Sequence, residues 1–468
     1  MFANLLAAFW HQVTTRPDQV ALVLSSGSSV ASFTWERLAV KVVLQADLLI
    51  QQFGAAPDAF RFAAYASDNT LGDVLMALAC PVAGVIEVPV DHRLGQSAKA
   101  LADRIGGLWL PEHDLTSGQG SVTNVAIDRL KDASSKVNAD DSALILWTSG
   151  TTDAPKAVTL THRNLILNAA AKLAAVPDST NDARLTSLPL CHAYARTCDL
   201  GTWLLSGCTL AMGLGFDAWL RLGPFMRPTV ANIVPSLADR LLNADPRTVG
   251  IDRLRLLGCG GAAMSADDFA AWKSQGITVI QGYGLTETSP VICSATPENA
   301  TAGLVGKFVD GWEHQVRDGR LFVRGPHLMA GYWSDIHATN DRIKNGWLDT
   351  GDLVEIDSAT GQLRILGRAD DVIVLDNGHK VHPQQIEKQI QQIAGVRHAM
   401  IVAAGRTIDL WLDAEPSDYL IDKLSTQLAG RPKWERPSAV HFFDRPLSIA
   451  AGELTSKGTI RRHQIRLS

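Results

Sequence analysis

The sequence predicts an α/β fold in which parallel sheets are layered with helices. Short apolar runs rich in β-branched residues alternate with stretches of helical periodicity. Several of these runs end in glycine-rich or hydroxyl-rich turns, as strands of an open α/β sheet often do. After about residue 315 the pattern changes to shorter strands with Gly and Asp turns. We therefore expect a large N-terminal domain followed by smaller β-rich and α+β parts.

The elements of the large region follow each other as strand, helix and strand. The predicted helices are TLGDVLMALACPVAG (70–84) and SADDFAAWKSQG (265–276), the second with Ser265 as its N-cap. The predicted strands are VIEVPV (85–90), VTNVAI (122–127), SALILW (142–147), LRLLGCGGA (254–262) and ITVIQGYG (277–284). This order indicates a parallel sheet, whose binding sites lie beyond the carboxyl ends of its strands. TSGTTDAPK, GCGGA and QGYGLTE occupy that position and are candidate site loops.

The C-terminal part predicts a small antiparallel layer and then a separate α+β unit. GRLFVRG (319–325), GWLDTGDLVEID (346–357) and GQLRILGR (361–368) alternate apolar and polar residues, as in a small barrel-like layer. HPQQIEKQIQQIAG (382–395) predicts a helix that ends at Gly395. The charged segment GRADD (367–371) separates these two patterns. We therefore expect an N-terminal domain at 1–369 and a small mobile C-terminal domain at 370–468.

Composition and charge exclude several classes of protein. The chain has 468 residues with 43 basic and 48 acidic side chains, and its lack of a basic run argues against nucleic-acid binding. Its six cysteines form no C-x-x-C pair, which favours reduced thiols over disulfides or a metal site. The N-terminal segment has no basic leader, and no apolar run reaches the length of a membrane-spanning helix. These features predict a cytoplasmic protein without a transmembrane segment.

The stretch LWTSGTTDAPKA (146–157) is dense in hydroxyl groups and has a lysine behind a proline. It is not a Walker loop, because Pro155 and Ala157 stand where that motif needs its second glycine and its magnesium-binding hydroxyl. By itself the stretch fits either a phosphate loop of another design or an ordinary hydrophilic turn. As a phosphate loop, its contact residues are Thr148, Ser149, Gly150, Thr151, Thr152 and Lys156.

Five motifs in a fixed order carry a resemblance that covers nearly the whole chain. They are TSGTTDAPKAVTLTHRNL (148–165), QGYGLTETSP (281–290), GWLDTGDL (346–353), GRADDVIVLDNGHKVHPQQIE (367–387) and ELTSKGTIRR (453–462). With them the chain resembles the adenylate-forming superfamily of acyl-CoA synthetases, peptide-synthetase adenylation domains and luciferases. The segment LPLCHAYARTCDLGTWLLSGCTLAMG (188–213) is most similar to the long-chain fatty acyl-CoA synthetases.

The resemblance implies an ATP-dependent ligase that converts a carboxylic acid to an acyl-adenylate and then transfers the acyl group to coenzyme A. Lys156 then adds positive charge beside the phosphates, and Thr286 contacts the α-phosphate. Glu287 is the implied ligand of Mg²⁺, which binds ATP phosphates together with one or two protein carboxylates. Such positioning and charge stabilisation dominate catalysis of phosphoryl-type transfer.

The resemblance also assigns the nucleoside contacts. Tyr283 lies against the adenine, although plain core packing explains one aromatic residue equally well. Asp352 accepts both ribose hydroxyls and Arg368 reaches the ribose, although a turn aspartate is the ordinary reading of T-G-D-L. The small residues that let the nucleotide approach the backbone are Gly260, Gly261, Ala262 and Gly284.

The acyl group is expected beside His192, which follows LPLC and borders the acyl carboxylate in the resembled family. A lone histidine is more often structural than catalytic, so a structural role stays open. Candidates for an acyl tunnel have a helical spacing that fits ordinary core equally well: Trp203, Leu204, Leu205 and Met212.

Two features of the C-terminal part bear on the two half-reactions. Asp370 occupies the hinge position about which the resembled family rotates its C-terminal domain, and Gly378 then approaches the pantetheine thiol. The family's adenylation lysine aligns without a gap to Thr459, whereas the lysine of this chain, Lys457, lies two residues earlier. We predict that Lys457 takes that role from a rearranged loop.

The motifs identify the nucleotide more clearly than they identify the acid substrate. We expect a fatty or other apolar acid, with membrane contact only through that substrate. The chain is short for the long-chain branch, and Ala195 stands where that branch often has glutamate, so an aryl or smaller acid stays open. Transfer to a carrier-protein pantetheine, luciferase-like oxidation of the adenylate, and a degenerate protein that binds an adenylate without turnover stay open as well.

Overall fold

The computed structural model describes residues 2–26, 29–54, 61–111, 124–148, 155–377, 379–448, 451–454, 458, 460–465 and 467. The strands of the large N-terminal region are short. They are β1 (Val20–Ser26), β2 (Ser29–Thr34), β3 (Phe62–Ser67), β4 (Ile86–Asp91), β5 (Leu108–Trp109), β6 (Ser142–Trp147), β7 (Ala157–Thr161), β8 (Ala183–Thr186), β9 (Thr209–Met212), β10 (Val230–Ile233), β11 (Leu256–Cys259), β12 (Thr278–Gly284), β13 (Val291–Ser294) and β14 (Lys307–Phe308).

Helices connect and cover these strands. They are α1 (Leu5–Thr15), α2 (Trp35–Phe53), α3 (Leu71–Ala83), α4 (Gln96–Asp103), α5 (Asn124–Lys136), α6 (His162–Ala175), α7 (Ala193–Ala195), α8 (Thr202–Ser206), α9 (Gly215–Met226), α10 (Pro235–Leu242), α11 (Pro246–Val249) and α12 (Ala266–Ser274). A π-helical turn, Arg196–Gly201, joins α7 to α8. No helix in the described residues is both long and apolar enough to cross a membrane.

The remaining elements are mostly antiparallel. They are β15 (Glu313–Arg317), β16 (Arg320–Arg324), β17 (Gly331–Tyr332), α13 (Ile336–Arg342), β18 (Ile343–Lys344), β19 (Trp347–Ile356), β20 (Leu363–Arg368), β21 (Ile373–Val374), β22 (Lys380–Val381), α14 (Pro383–Ile390), β23 (His398–Ala404), β24 (Thr407–Asp413), α15 (Asp418–Leu428) and β25 (Pro437–Phe442). They include the antiparallel sheet predicted at residues 319–368, in the order β15-β16-β19-β18 with β20 paired to β19.

Two sheets organise the large region. One has nine strands in the order β14-β13-β12-β11-β10-β8-β9-β1-β2, and the other has six in the order β17-β7-β6-β4-β3-β5. The central pairs are parallel, as in β10–β11 and β3–β4, while the β12–β13 and β6–β7 pairs are antiparallel. The predicted α/β fold is therefore confirmed, with antiparallel strands added towards the sheet edges.

Local capping explains why the predicted helices begin where they do. At the start of α3 the carboxylate of Asp73 accepts the backbone N–H of Thr70, and Gly84, whose φ of +65° suits glycine, caps the C-terminal end of the helix. At the start of α12 the hydroxyl of Ser265 accepts the N–H of Asp268 at 3.0 Å. Both helices confirm the sequence prediction to within two residues.

Two predicted elements are wrong in type or length. The predicted strand VTNVAI (122–127) is contradicted over residues 124–127, because they lie in α5, whose residue Leu130 is fully buried in the helical core. Residues 122 and 123 lie outside the described residues. A six-residue apolar run cannot distinguish strand from helix, and the continuing NVAIDRLKDASSK supplies the helical length. The predicted helix 382–395 ends at Ile390 because turn bonds such as Ile393 N–H to the Ile390 carbonyl replace the α-helical ladder.

The residues considered for an acyl tunnel lie in ordinary core. The ring of Trp203 is fully buried, stacks on Trp35 with centroids 4.8 Å apart, and donates to the Ala21 carbonyl. Leu204 and Met212 belong to the same cluster between helices α1, α2, α3 and the large sheet. Truncating such a buried tryptophan typically costs about 3–5 kcal/mol of folding free energy.

Candidate active site

Three predicted nucleoside contacts converge between two sheets. Tyr283 lies near the end of β12, Asp352 lies in β19, and Arg368 faces Asp352 across the β19–β20 ladder. The Tyr283 hydroxyl donates to Asp352 Oδ2 at 2.5 Å, and Arg368 Nη1 donates to Asp352 Oδ1 at 3.1 Å. The structure therefore places the three residues, which are up to 85 positions apart in the chain (283 to 368), in one hydrogen-bonded group.

The electrostatics of this group favour recognition of hydroxyl groups. Burial raises the pKa of Asp352, and the neighbouring Arg368 guanidinium opposes that shift. Burial and the Asp352 carboxylate raise the pKa of Tyr283, so its hydroxyl stays protonated as a donor. A carboxylate offers about four acceptor sites, so Asp352 retains capacity for two further hydroxyl donors. An aspartate that only stabilised a turn would not need the hydrogen bonds that Asp352 accepts from Tyr283 and Arg368.

Glu287 and Thr286 lie in a short 3₁₀ turn, Thr286–Thr288, directly after β12. Glu287 is buried, and its Oε1 accepts a hydrogen bond of 2.8 Å from the hydroxyl of Tyr332. Its backbone carbonyl accepts the N–H of Met329 at 2.9 Å, which fixes the turn against the segment before β17. An oriented, buried carboxylate with a remaining oxygen suits a hard cation such as Mg²⁺.

Tyr332 is a site residue that the motif analysis missed. It lies in β17, which pairs with β7 through Tyr332 and Val158, immediately beyond Lys156. The ammonium of Lys156 lies 5.3 Å from the centroid of the Tyr332 ring. Tyr332 thus contacts both the predicted phosphate lysine and the predicted magnesium ligand. The GYW triplet at 331–333 was the available signal, but nothing local in it points to Glu287.

The described part of the phosphate loop is its base. Thr148 and Lys156 close it through two 3.0 Å hydrogen bonds: the Thr148 N–H donates to the Lys156 carbonyl, and the Lys156 N–H donates to Thr148 Oγ1. Strands β6 and β7 hold these two residues side by side as an antiparallel pair. The predicted contacts Ser149, Gly150, Thr151 and Thr152 lie outside the described residues.

His192 lies at the N-cap of α7, beside the buried Asp91 at the end of β4. Its Nε2 is 3.5 Å from Asp91 Oδ2, while Arg93 approaches the same oxygen at 2.6 Å. Burial by itself raises the pKa of Asp91, but hydrogen bonds from His192 and Arg93 bring it well below its usual range. The Asp91 carboxylate therefore orients the imidazole, and this contact was not evident from the sequence.

The glycine-rich turn after β11 has two different geometries. A Cβ on Gly260 would lie 2.9 Å from Cε1 of Tyr194, so the tyrosine ring packs directly on this backbone. Gly261 adopts a φ of +82°, a conformation that side chains disfavour, and it is exposed together with Ala262. Gly284 is needed for a structural reason, because a Cβ there would overlap the Pro290 carbonyl across the β12–β13 pair.

The C-terminal candidates are only partly described. Asp370 is 70% exposed and lies 3.8 Å from the guanidinium of Arg320, which places it at the surface just after β20. Gly378 and Lys457 lie outside the described residues, as does Thr459. Their roles, and the domain division at residue 370, stay predictions.

Comparison with known proteins gives matches over most of the chain. Residues 107–333 match the AMP-binding enzyme family, and residues 370–423 match the AMP-binding enzyme C-terminal domain. Feruloyl-CoA synthase from an Amycolatopsis species is 28% identical over 438 residues, which cover 85% of this chain and 88% of that protein. The long-chain-fatty-acid–CoA ligase of Haemophilus influenzae is 32% identical over 357 residues, which cover 68% of this chain and 61% of that protein.

A solved structure gives the same result at the level of the fold. O-succinylbenzoate coenzyme A synthetase from Bacillus subtilis, in complex with AMP, superimposes with a TM-score of 0.81. The superposition covers 99% of this chain and 98% of that one, at 21% sequence identity. This degree of similarity establishes the architecture of both sheets and of the C-terminal part.

Proposed function

Because this chain belongs to the AMP-binding enzyme family, we propose that it activates a carboxylic acid with ATP and transfers the acyl group to coenzyme A. The observation that carries the proposal is the segment 283–287. Its Tyr283 is bound to the Asp352–Arg368 pair, and its Glu287 is bound to Tyr332 beside Lys156. One short turn thus joins a hydroxyl-recognising group to a cation- and phosphate-binding group, which is the arrangement that a nucleoside triphosphate needs.

The first half-reaction is a displacement at phosphorus. A carboxylate oxygen of the acid attacks the α-phosphorus of ATP, the bond to the β-phosphate oxygen breaks, and pyrophosphate leaves. Asp352 and Arg368 hold the ribose, Tyr283 lies against the adenine, and Thr286 contacts the α-phosphate. Lys156 and the hydroxyls of the 148–152 loop bind the departing phosphates, whose charge must be stabilised. Lys457 supplies positive charge at the reacting carboxylate.

Magnesium fits the Glu287 carboxylate, since a buried and oriented carboxylate is the type of ligand that this ion uses together with phosphates. When bound, the ion neutralises charge on the phosphates of ATP. Tyr332 keeps Oε1 of Glu287 in place by its hydrogen bond. His192, oriented by Asp91, lies where the acid carboxylate is expected.

The second half-reaction forms a thioester. The thiol sulfur of CoA attacks the acyl carbon, the bond from that carbon to the AMP oxygen breaks, and AMP leaves while the thiol proton passes to solvent. A rotation at Asp370 brings Gly378 towards the thiol, where the absence of a side chain gives access. The names of the related proteins support CoA as the acceptor. A carrier-protein pantetheine presents the same thiol, so products formed with and without CoA distinguish the two acceptors.

The relatives are named for acids as different as ferulate and long-chain fatty acids, so the acid itself is a matter for direct measurement. Purified protein is incubated with Mg-ATP and acids from acetate through long-chain fatty acids to benzoates and cinnamates, with and without CoA. Mass spectrometry of the products should show AMP and one class of acyl-CoA, and Glu287→Gln should lose both products. Accumulation of acyl-AMP without acyl-CoA, when CoA is present, indicates a carrier-protein acceptor. If no acid gives an acyl-adenylate, the proposal is contradicted.

A further inference from the structure

A small cavity lies between the π-helical turn Arg196–Gly201 and the centre of the nine-stranded sheet. It has room for about one water molecule, near 10 Å³. Its wall combines polar residues with apolar side chains: Lys172, Arg184, Cys198, Thr202, Asn232 and Gly258, and Val176, Val230, Leu256 and Ile280. Two cationic side chains, Lys172 and Arg184, are unusual in the wall of a cavity at the middle of a parallel sheet, where strands are normally covered by apolar side chains. The residues that surround it are not used in the chemistry described above.

Lys172 has unused hydrogen-bonding capacity beside this cavity. It extends from α6, its side chain is buried, and its ammonium donates one hydrogen bond of 3.0 Å, to Ser294 Oγ. An ammonium has three donors, and the described residues provide an acceptor for one of them. Burial lowers the pKa of Lys172. Burying a partly paired cation costs several kcal/mol, so a further acceptor stabilises this arrangement.

The neighbouring charges balance each other. Arg184 pairs with Asp178 at 2.5 Å and with Asp199 at 2.8 Å. Asn232 Nδ2 also donates to Asp199, at 2.7 Å. Two carboxylates therefore offset the two cations Arg184 and Lys172. A further carboxylate in the cavity would add an unbalanced buried charge, whereas an uncharged oxygen would complete the hydrogen bonding of Lys172.

Tyr194 links the wall of the cavity to the segment that carries His192. Tyr194 follows His192 by two residues, its ring lies on the backbone of Gly260, and its hydroxyl donates to Asn232 Oδ1 at 3.2 Å. Asn232 in turn lines the cavity, where a Cβ on Gly258 would overlap its amide oxygen. The segment 192–194 and Asn232 thus connect the histidine at the carboxylate end with the cavity that Lys172 also lines. The π-helical turn that carries Cys198 is a rare element that often marks functional sites.

We propose that Lys172 donates a hydrogen bond to an uncharged oxygen, a hydroxyl or carbonyl, at the end of the acyl group remote from the carboxylate. The substrate class is then a compact acid with a remote oxygen substituent. An unsubstituted long alkyl chain would leave the buried donors of Lys172 unpaired, and sites built on such donors strongly reject analogues that lack the acceptor. The inference rests on the proposed function, since it concerns the acid of that same reaction.

The test compares matched acids with the same carbon skeleton. The probes are cinnamate against its para-hydroxy derivative, and octanoate against its terminally hydroxylated derivative, each with Mg-ATP and CoA. For at least one pair the hydroxylated acid should have a kcat/KM about 10-fold or more above its parent. Lys172→Met should reduce that ratio to about one, and Lys131→Met, which removes an exposed lysine of α5, should leave the ratio unchanged.

Three results would overturn the inference. One is a wild-type enzyme that uses palmitate as well as the hydroxylated acids, or that uses both unsubstituted parents as well as their hydroxylated derivatives. Another is a Lys172→Met variant that folds, as judged by its thermal transition, and keeps the wild-type ratio. If Lys172→Met fails to fold, Lys172→Gln is tested instead, because glutamine keeps a hydrogen-bond donor and should preserve a preference for the hydroxylated acid. Loss of that preference in Lys172→Gln is the third overturning result. Absence of acyl-AMP with every acid contradicts the proposed function instead, and the inference falls with it.

Discussion

The hydroxyl of Tyr332 donates a hydrogen bond of 2.8 Å to Oε1 of Glu287, and the ring of the same tyrosine lies 5.3 Å from the ammonium of Lys156. Two residues that the motifs assign to different loops are therefore held by one side chain. Tyr332 has its fixed position because β17 is hydrogen-bonded to β7, the strand that follows the phosphate loop. The geometry of the cation site thus depends on the pairing of these two strands.

Tyr332→Phe should weaken the use of Mg-ATP without changing the preference among acids. The substitution keeps the ring beside Lys156 and removes the hydrogen bond to a charged acceptor, worth about 1.5–3 kcal/mol. We expect kcat/KM for ATP to fall about 10- to 100-fold, measured by pyrophosphate release over a series of magnesium concentrations. Tyr419→Phe, at a 59% exposed tyrosine of α15, is the control. An effect restricted to one acid would contradict a role at the cation site.

The sequence predicted those parts of the site that motifs carry as continuous stretches. QGYGLTE spans the end of β12 and the turn after it, and DTGDL lies within β19, so local pattern placed Tyr283, Glu287 and Asp352 on the correct elements. The contacts of Tyr332 with Glu287 and of Asp91 with His192 join positions 45 and 101 residues apart (332 − 287 and 192 − 91). Such contacts depend on sheet order and helix packing, which periodicity does not encode.

The errors in secondary structure have a similar origin. VTNVAI reads as a strand because six residues of mixed β propensity carry little information, and only the packing of α5 against α1, α2 and α3 selects the helix. The small cavity beside Lys172 was also not predictable from the sequence. A lysine in HRNLILNAAAKLAA is ordinary on a helix, and its burial follows from the close packing of α6 on the π-helical turn.

Asp352→Asn should raise the KM for ATP about 10- to 100-fold while leaving the KM for the acid nearly unchanged. The amide keeps one acceptor oxygen but loses the charge that pairs with Arg368 at 3.1 Å, and it places a donor at the other position. Initial rates at saturating acid give the effect. Asp349→Asn, three residues earlier in β19, is the matched control because its carboxylate pairs with Arg320 at 2.9 Å. Equal losses in the two variants would argue against ribose recognition by Asp352.

Lys457→Ala should abolish formation of the adenylate yet leave thioester formation from a supplied acyl-adenylate. The prediction rests on the sequence, where Lys457 is the lysine nearest to the aligned position of Thr459. Acyl-AMP and acyl-CoA are quantified separately by mass spectrometry in single-turnover reactions. Lys433→Ala, at an exposed lysine of the C-terminal part, should affect neither step. If Lys457→Ala slows both half-reactions equally, the assignment of this lysine to adenylation is wrong.

His162, the first residue of α6, should make folding stability depend on pH below neutrality. Burial lowers the pKa of His162 from its usual 6.5 to about 4. Below pH 6.5 the unfolded chain binds a proton at His162 that the folded chain excludes. The contribution of His162 to the free energy of unfolding is therefore complete above pH 6.5 and is lost as the pH falls to about 4. The shift corresponds to about 3 kcal/mol. In calorimetry from pH 7 to pH 4, His162→Gln should lose less thermal stability on acidification than the wild type. His337→Gln, at an exposed histidine, should follow the wild-type profile, and parallel profiles for all three proteins would exclude His162 as the titrating group.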